Sequence, residues 1–317
     1  MKLKLITLQT IEEEAVRAIV PDIEIVHVDR TGVAAEARDA DILIGNPGDR
    51  WPRILKEAPR LKWVHVGSAG VESLLVPEFH ASRVTLTCAK GDVAGPVLAE
   101  HAFALILGLS RGIGECARVD KWIGSDSPVA GGVFELGGKT LGLVGFGGVG
   151  RHLVRMARGF NMEVVAVRRS PGDSGVGGVT VWGADRFHDL LEVSDVVVVS
   201  VPDVPATRSM FDAEAFRRMK NHALLITVGR GKTVDTAALA AALRAGEIGG
   251  AGLDVVDPEP LPDDHPLWQM DNVIITSHNA GTSPERGARN QALILENLKR
   301  FAAGQPLLNT VDREAGY

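Results

Sequence analysis

Short apolar runs recur through the first hundred residues, at Leu3–Leu8, Ile23–Val28, Ile42–Ile44, Lys62–Val66 and Val84–Cys88. Each is too short for a core helix and rich in Ile, Leu or Val, which predicts buried strands. Segments with helical spacing separate them, such as Trp51–Ala58 ahead of Pro59, and Asp41 and Gly45 bracket the third run as turn residues. Strands alternating with helices predict a parallel sheet covered on both faces. A longer apolar segment, from Pro96 to Arg111, predicts a helix with proline in its first turn, where a missing N–H costs nothing. The Gly-rich stretch 124–138 then reads as surface loop.

A second alternating series starts at Thr140. Its expected strands are Leu141–Val144, Val164–Val167, Val196–Val201, Leu224–Val228, Gly252–Val255 and Val273–Thr276. Asp212 can cap a helix over Ala213–Met219, and Asp235 or Thr236 one over Ala237–Ala245 that Gly246 ends. A last helix is expected over Glu285–Ala303, stopped by Gly304.

Composition narrows the classes. A chain of 317 residues favours two domains, and 45% hydrophobic with 23% charged residues is ordinary globular usage. A net charge of −6 and a pI near 5.9 leave no basic footprint for nucleic acid or an anionic membrane. Cys88 and Cys116 are too few for a disulfide framework, and their surroundings suggest buried free thiols. The start Met1-Lys-Leu-Lys-Leu-Ile-Thr has no signal-peptide pattern, and the most apolar run, Val97–Leu109, carries Glu100 and His101. A cytoplasmic protein is expected. No metal-ligand spacing stands out.

The chemistry begins at Thr140-Leu-Gly-Leu-Val-Gly145-Phe146-Gly147-Gly148-Val149-Gly150. A buried strand runs into G-x-G-x-x-G and then into a helix over Arg151–Arg158. The first glycine permits the turn, the second a close approach of backbone to pyrophosphate, and the third tight packing of helix on sheet. The helix N-terminus offers free N–H groups and a favourable dipole to phosphate. A dinucleotide site follows. The next strand ends in Arg168-Arg169-Ser170, where an acidic residue would bind the ribose of NAD and repel a 2′-phosphate. Guanidinium groups bind phosphate bidentately, so NADP(H) is the expected cofactor, with NAD(H) possible.

Several further motifs occur in order: Ser68-Ala69-Gly70-Val71, Ala99-Glu100-His101, Val228-Gly229-Arg230-Gly231 with Val234-Asp235, Gly252-Leu-Asp254-Val255 leading to Pro258-Glu259-Pro260-Leu261, and Asn272 through His278. Together with the glycine loop they resemble the D-isomer-specific 2-hydroxyacid dehydrogenases, especially the short glyoxylate/hydroxypyruvate reductase-like members, over essentially the whole chain. The resemblance implies roles residue by residue. Arg230 would bind the substrate carboxylate and polarise the 2-oxo group, His278 would be the acid/base, and Glu259 its carboxylate partner. The loop Ser68, Ala69 and Gly70 would hold the carboxylate through backbone N–H groups. Val201, Pro202 and Thr207, with Val228, Gly229 and His278, would contact cofactor, and Asp254 would lie near the nicotinamide carboxamide. Elementary chemistry agrees: reducing a 2-oxo acid needs a hydride at C2 and a proton for the developing alkoxide. A carboxylate-paired histidine supplies the proton, and an arginine stabilises the charge on oxygen.

Some positions depart from the family pattern. Gly229 stands where alanine is usual, Ser277 replaces a proline before His278, Asn279 follows it, and Asp92 replaces a common asparagine. A histidine on an apolar helix is more often a satisfied core group than a ligand, so Glu100 and His101 are left out of catalysis. His65, His188 and His265 suggest no partner.

The expected fold is α/β, with two doubly wound parallel-sheet domains. A flavodoxin-like substrate domain takes 1–98 and 285–317, and a Rossmann nucleotide domain takes 99–284, with a hinge near Ala99 and Pro284. The expected activity is reduction of a small 2-oxo acid to the D-2-hydroxy acid. The resemblance also implies a homodimer. Phosphoglycerate, formate or phosphite oxidation on the same scaffold stays open, as does a non-catalytic dinucleotide-sensing co-repressor.

Overall fold

Runs of β-branched and aliphatic residues become the strands of two all-parallel sheets. The computed structural model describes residues 2–120, 122, 132–172 and 175–317. The strands are β1 (Lys4–Thr7), β2 (Glu24–His27), β3 (Ile42–Ile44), β4 (Trp63–Val66), β5 (Thr85–Cys88), β6 (Thr140–Val144), β7 (Glu163–Arg168), β8 (Thr180–Gly183), β9 (Val196–Val199), β10 (Leu224–Thr227), β11 (Gly250–Leu253) and β12 (Val273–Ile275). The helices are α1 (Glu13–Ile19), α2 (Val33–Glu36), α3 (Trp51–Glu57), α4 (Pro77–Ala81), α5 (Gly95–Ser110), α6 (Ile113–Cys116), α7 (Gly148–Gly159), α8 (Phe187–Val193), α9 (Ala213–Arg218), α10 (Thr236–Ala245) and α11 (Pro284–Ala302).

The chain divides into two compact units, 1–94 with 283–317 and 95–282; the expected borders were 1–98 with 285–317 and 99–284. In the first, the strand order is β2-β1-β3-β4-β5, the flavodoxin-like doubly wound order. One face is packed by Val33, Trp51, Ile54 and Phe79 from α2, α3 and α4, and the other by Val16, Ile294 and Leu298 from α1 and α11. β1, β3 and β4 are buried along their whole length, which is why they read as continuous apolar runs rather than alternating ones.

In the second unit the order is β12-β11-β10-β9-β6-β7-β8. Counted from β6, this is the Rossmann order with a seventh strand added, and it reverses between β6 and β9. The core of one face draws on α8, α9 and α10 through Leu190, Phe216 and Leu239, and that of the other on α5 and α7 through Ala102, Ile106, Leu153 and Val154. α9 and α10 start where capping chemistry predicts. Asp212 accepts from the N–H groups of Glu214 and Ala215, and Asp235 from those of Ala237 and Ala238. Gly246 ends α10 in the left-handed conformation.

Three expectations are revised. β8 was not foreseen: it is an edge strand paired only with β7, and its short pattern carries little alternation. β11 begins two residues before the expected Gly252, because Gly250 joins the ladder to β10 through its backbone. Cys88 is buried, but Cys116 is exposed, at the end of the short helix α6, none of whose residues is buried. The expected loop over 124–138 lies largely outside the described residues.

Candidate active site

The C-terminal edge of the larger sheet gathers the expected site residues of the second unit. On three adjacent strands stand His278 after β12, Glu259 after β11 and Arg230 after β10. Parallel neighbours run about 4.8 Å apart, so residues just beyond their C-terminal ends share one crevice floor. Val201, Pro202 and Thr207 follow β9, Phe146 through Val149 follow β6, and Arg168, Arg169 and Ser170 close β7. The charged groups thus lie on one side of the point where strand order reverses, and the glycine loop and arginines on the other.

His278 donates or accepts through Nδ1 at 2.7 Å from Glu259 Oε1. An ionised carboxylate only accepts, so Nδ1 carries the proton of that bond and Nε2 is left to exchange one. Both side chains are about half exposed, 51% and 44%, so the pair serves orientation more than stability. His278 itself has φ +52, a left-handed conformation costly for a residue with a Cβ. Arg230 is half-buried; its Nη1 donates to the Gly229 carbonyl at 2.7 Å, and its own carbonyl accepts from the Thr233 hydroxyl at 2.7 Å. A Cβ at Gly231 would come within 1.9 Å of the Val256 carbonyl oxygen, and one at Gly229 within 3.0 Å of that of Val201. Gly231 therefore lets the Arg230 loop lie against the end of β11, while a side chain at Gly229 would press tightly on the end of β9.

Asp254 is 2% exposed and fully engaged. Its Oδ1 accepts from the Thr276 hydroxyl at 2.6 Å and the Asn279 N–H at 3.0 Å, its Oδ2 from the Ala280 N–H at 3.1 Å, and its carbonyl from the His278 N–H at 2.9 Å. His101 on α5 reaches the same group, with Nε2 2.9 Å from Thr276 Oγ1 and 3.6 Å from Asp254 Oδ1. In the sequence Thr276 is one position of the Asn272–His278 motif and His101 a histidine on an apolar helix. Only their meeting at the end of β12 distinguishes them.

The residues present fit a dinucleotide. Gly145 has φ +96, the turn its first position needs, and a Cβ built on Gly147 would meet nothing within 4 Å, so the space before the α7 N-terminus is open. The first N–H groups of a helix lack intrahelical partners and can face phosphate. At the β7 end, Arg168 Nε donates to the Ser170 carbonyl at 2.6 Å, which curls the chain there. Thr207 spends its hydroxyl on its own loop, donating to the Pro202 carbonyl at 2.6 Å and accepting from the Val204 N–H at 3.1 Å.

In the first unit, Ser68, Ala69 and Gly70 follow β4 and are partly exposed, with the Ser68 hydroxyl on the Gly70 carbonyl at 2.7 Å. Arg286 of α11 bonds the Gly67 carbonyl. A cavity of about 500 Å³ lies at the opposite, N-terminal edge of the larger sheet, lined by Lys139, Leu224, Gly249 and Asn272, and takes in none of the expected site residues. Among the described residues no group of His, Cys, Asp and Glu could hold a metal, and no helix is long and apolar enough to cross a membrane.

Two parallel-sheet α/β units, one of them a nucleotide-binding sheet with a carboxylate–imidazole pair and an arginine on its strand ends, define a dinucleotide-dependent oxidoreductase. Residues 103–280 match the family "D-isomer specific 2-hydroxyacid dehydrogenase, NAD binding domain". A glyoxylate reductase from Korarchaeum cryptofilum is 34% identical over 89% of this chain and 86% of its own. A glycerate dehydrogenase from Methylorubrum extorquens is 32% identical over 80% of this chain and 79% of its own. The crystal structure of an NADPH-dependent glyoxylate/hydroxypyruvate reductase from Sinorhizobium meliloti, in complex with NADP and sulfate, covers 100% of both chains at 27% identity with a TM-score of 0.80. The chain belongs to the D-isomer-specific 2-hydroxyacid dehydrogenase family.

Proposed function

We propose that the protein reduces a small 2-oxo acid of the glyoxylate or hydroxypyruvate type to the D-2-hydroxy acid, with NADP(H) as preferred cofactor. The observation that carries the reading is the His278–Glu259 pair at 2.7 Å, beside the strand whose loop bears Arg230. Relatives named glyoxylate reductase and glycerate dehydrogenase support the substrate class. A nicotinamide, when bound, supplies the hydride to C2. His278 Nε2 gives the proton to the alkoxide, Glu259 holds the ring by its other nitrogen, and Arg230 anchors the carboxylate and stabilises charge building on oxygen. Ser68, Ala69 and Gly70 add backbone N–H donors for the carboxylate. Arg168, Arg169 and Ser170 favour a 2′-phosphate. Cytoplasmic residence and a homodimer go with the same reading.

The test is a panel of 2-oxo acids followed by NADPH absorbance, repeated with NADH. Glyoxylate or hydroxypyruvate should turn over, with the higher kcat/KM on NADPH, and Arg168→Asp should shift the preference toward NADH. Arg230→Ala should raise KM and lower kcat. Wild-type kinetics in that variant would remove Arg230 from the site, and better turnover with NADH would overturn the cofactor assignment.

A further inference from the structure

We infer that His101, Thr276 and Asp254 form a hydrogen-bonded relay, ending on a buried carboxylate, that sets the backbone of the acid/base histidine, and that His101 and Thr276 are positioning residues for the reaction. The inference rests on the proposed role of His278. Three consecutive backbone N–H groups, those of His278, Asn279 and Ala280, all end on Asp254: on its carbonyl, its Oδ1 and its Oδ2. Asp254 therefore grips the segment that carries the imidazole from both its main chain and its side chain. That grip coincides with φ +52 at His278, a conformation that an ordinary residue leaves unless its surroundings fix it.

The carboxylate needs fixing in turn. The Thr276 hydroxyl has one proton, and the 2.6 Å bond assigns it to Asp254 Oδ1, because the carboxylate cannot donate. His101 must then donate from Nε2 to Thr276 Oγ1 at 2.9 Å. The bonds run one way, from α5 through the end of β12 to the end of β11, so three elements are tied to one carboxylate. Charge-assisted bonds of this kind are the stronger ones, and a chain of them polarises in a single direction. Removing a link would not remove a group that touches substrate. It would let the His278 segment drift, and a displacement on the order of 1 Å at a reacting group can cost about 100-fold in rate.

The experiment compares Thr276→Val, Thr276→Ser, His101→Leu and His101→Gln with wild type and with His278→Ala, using glyoxylate and NADPH. Valine keeps the shape of threonine without the hydroxyl, and glutamine keeps an N–H donor near the place of Nε2. Thr276→Val should lower kcat roughly 10- to 100-fold, with KM for glyoxylate and Kd for NADPH within about twofold, and Thr276→Ser should recover most of the loss. His101→Leu should lower kcat by about 10-fold, and His101→Gln should recover most of that. If Thr276→Val fails to melt cooperatively, the two His101 variants decide. The relay is overturned if His278→Ala abolishes turnover while Thr276→Val or His101→Leu keeps wild-type kcat, or if the losses fall on KM and on NADPH affinity instead. Full activity in His278→Ala would overturn the acid/base reading itself, a separate result.

Discussion

Two polar clusters, one in each compact unit, sit behind loops at strand ends, the smaller unit's buried throughout and the larger unit's buried only at its carboxylate, and they are built on the same part with different chemistry. In the larger unit, the Thr276 hydroxyl joins His101 to the carboxylate of Asp254. In the smaller, the Thr87 hydroxyl joins the Trp63 indole N–H, at 2.9 Å, to His65 Nδ1, at 2.9 Å, and His65 Nε2 reaches Asn290 Oδ1 of α11 at 3.0 Å. Every member of the second cluster is formally neutral, whereas the first is anchored on a carboxylate. Burial pushes the His65 pKa down to about 4, against which its bond to Asn290 works only in part. The charged cluster spends its bonds on the backbone of a loop that is to move a proton. The neutral one ties α11 to β4 and β5, next to the loop proposed to hold the substrate carboxylate. One is expected to govern rate, the other stability.

The largest effect is expected from Asp254→Asn. The amide is nearly isosteric but replaces one acceptor oxygen with a donor, which must face the Ala280 N–H or the Thr276 and Asn279 donors. A buried donor left without an acceptor costs about 1–3 kcal/mol. The variant should melt at a lower temperature, and kcat should fall on the order of 100-fold as the His278 segment loses its grip. Steady-state kinetics alongside thermal melts read both. A variant that loses stability but keeps kcat would erase the distinction between the clusters.

Next comes acid sensitivity, which belongs to the smaller unit. Well above pH 6.5, from about pH 7.5, His65 is neutral in both folded and unfolded chains and contributes no pH dependence. As pH falls from there toward about 4, the unfolded chain takes up a proton that the fold refuses, so stability drops as acid is added. The loss approaches about 1.4 kcal/mol per pH unit and levels off below the folded pKa at a total on the order of 3 kcal/mol. Urea unfolding across this range should show a shallower acid slope in His65→Leu than in the wild type, even though the variant starts out less stable. Parallel slopes would mean that His65 does not resist protonation.

Much of this was legible in the chain. Continuous apolar runs such as Val196–Val199 marked buried parallel strands because both faces are covered. The glycine loop, Arg230, Glu259 and His278 each follow such a run, so their place at one sheet edge could be foreseen. What stayed hidden had no periodic signal. Gly250 enters β11 through backbone bonds alone, and Thr180–Gly183 is a short edge strand. The resemblance places Asp254 near the nicotinamide carboxamide; its hold on three backbone N–H groups had no signal, because they and the Thr276 hydroxyl come from residues 22 or more positions away. His101 looked like a core histidine on an apolar helix, and it is partly buried; only the three-dimensional approach of α5 to the end of β12 gives it a polar partner. His65 had no visible partner because Asn290 lies 225 residues further along the chain.

The smallest expected effect is also the cleanest comparison, because it repeats one substitution in both clusters. Thr87→Val removes a hydroxyl that accepts from Trp63 and meets His65, all three of them fully buried. The fully buried indole N–H and His65 Nδ1 each lose a partner, at a cost of about 1–3 kcal/mol. For a protein of this size that is a fall in melting temperature of a few degrees, about 2–4 °C per kcal/mol. No bond from Thr87 reaches a group proposed to touch substrate or cofactor, so kcat at saturating glyoxylate should stay near the wild-type value. Thr276→Val deletes the same atom from a partly exposed site and should show the reverse, a small change in melting temperature with most of its effect on kcat. If the two valine variants lose stability and turnover in the same proportion, the clusters do the same job, and the charge on Asp254 would then have no special part in holding the histidine.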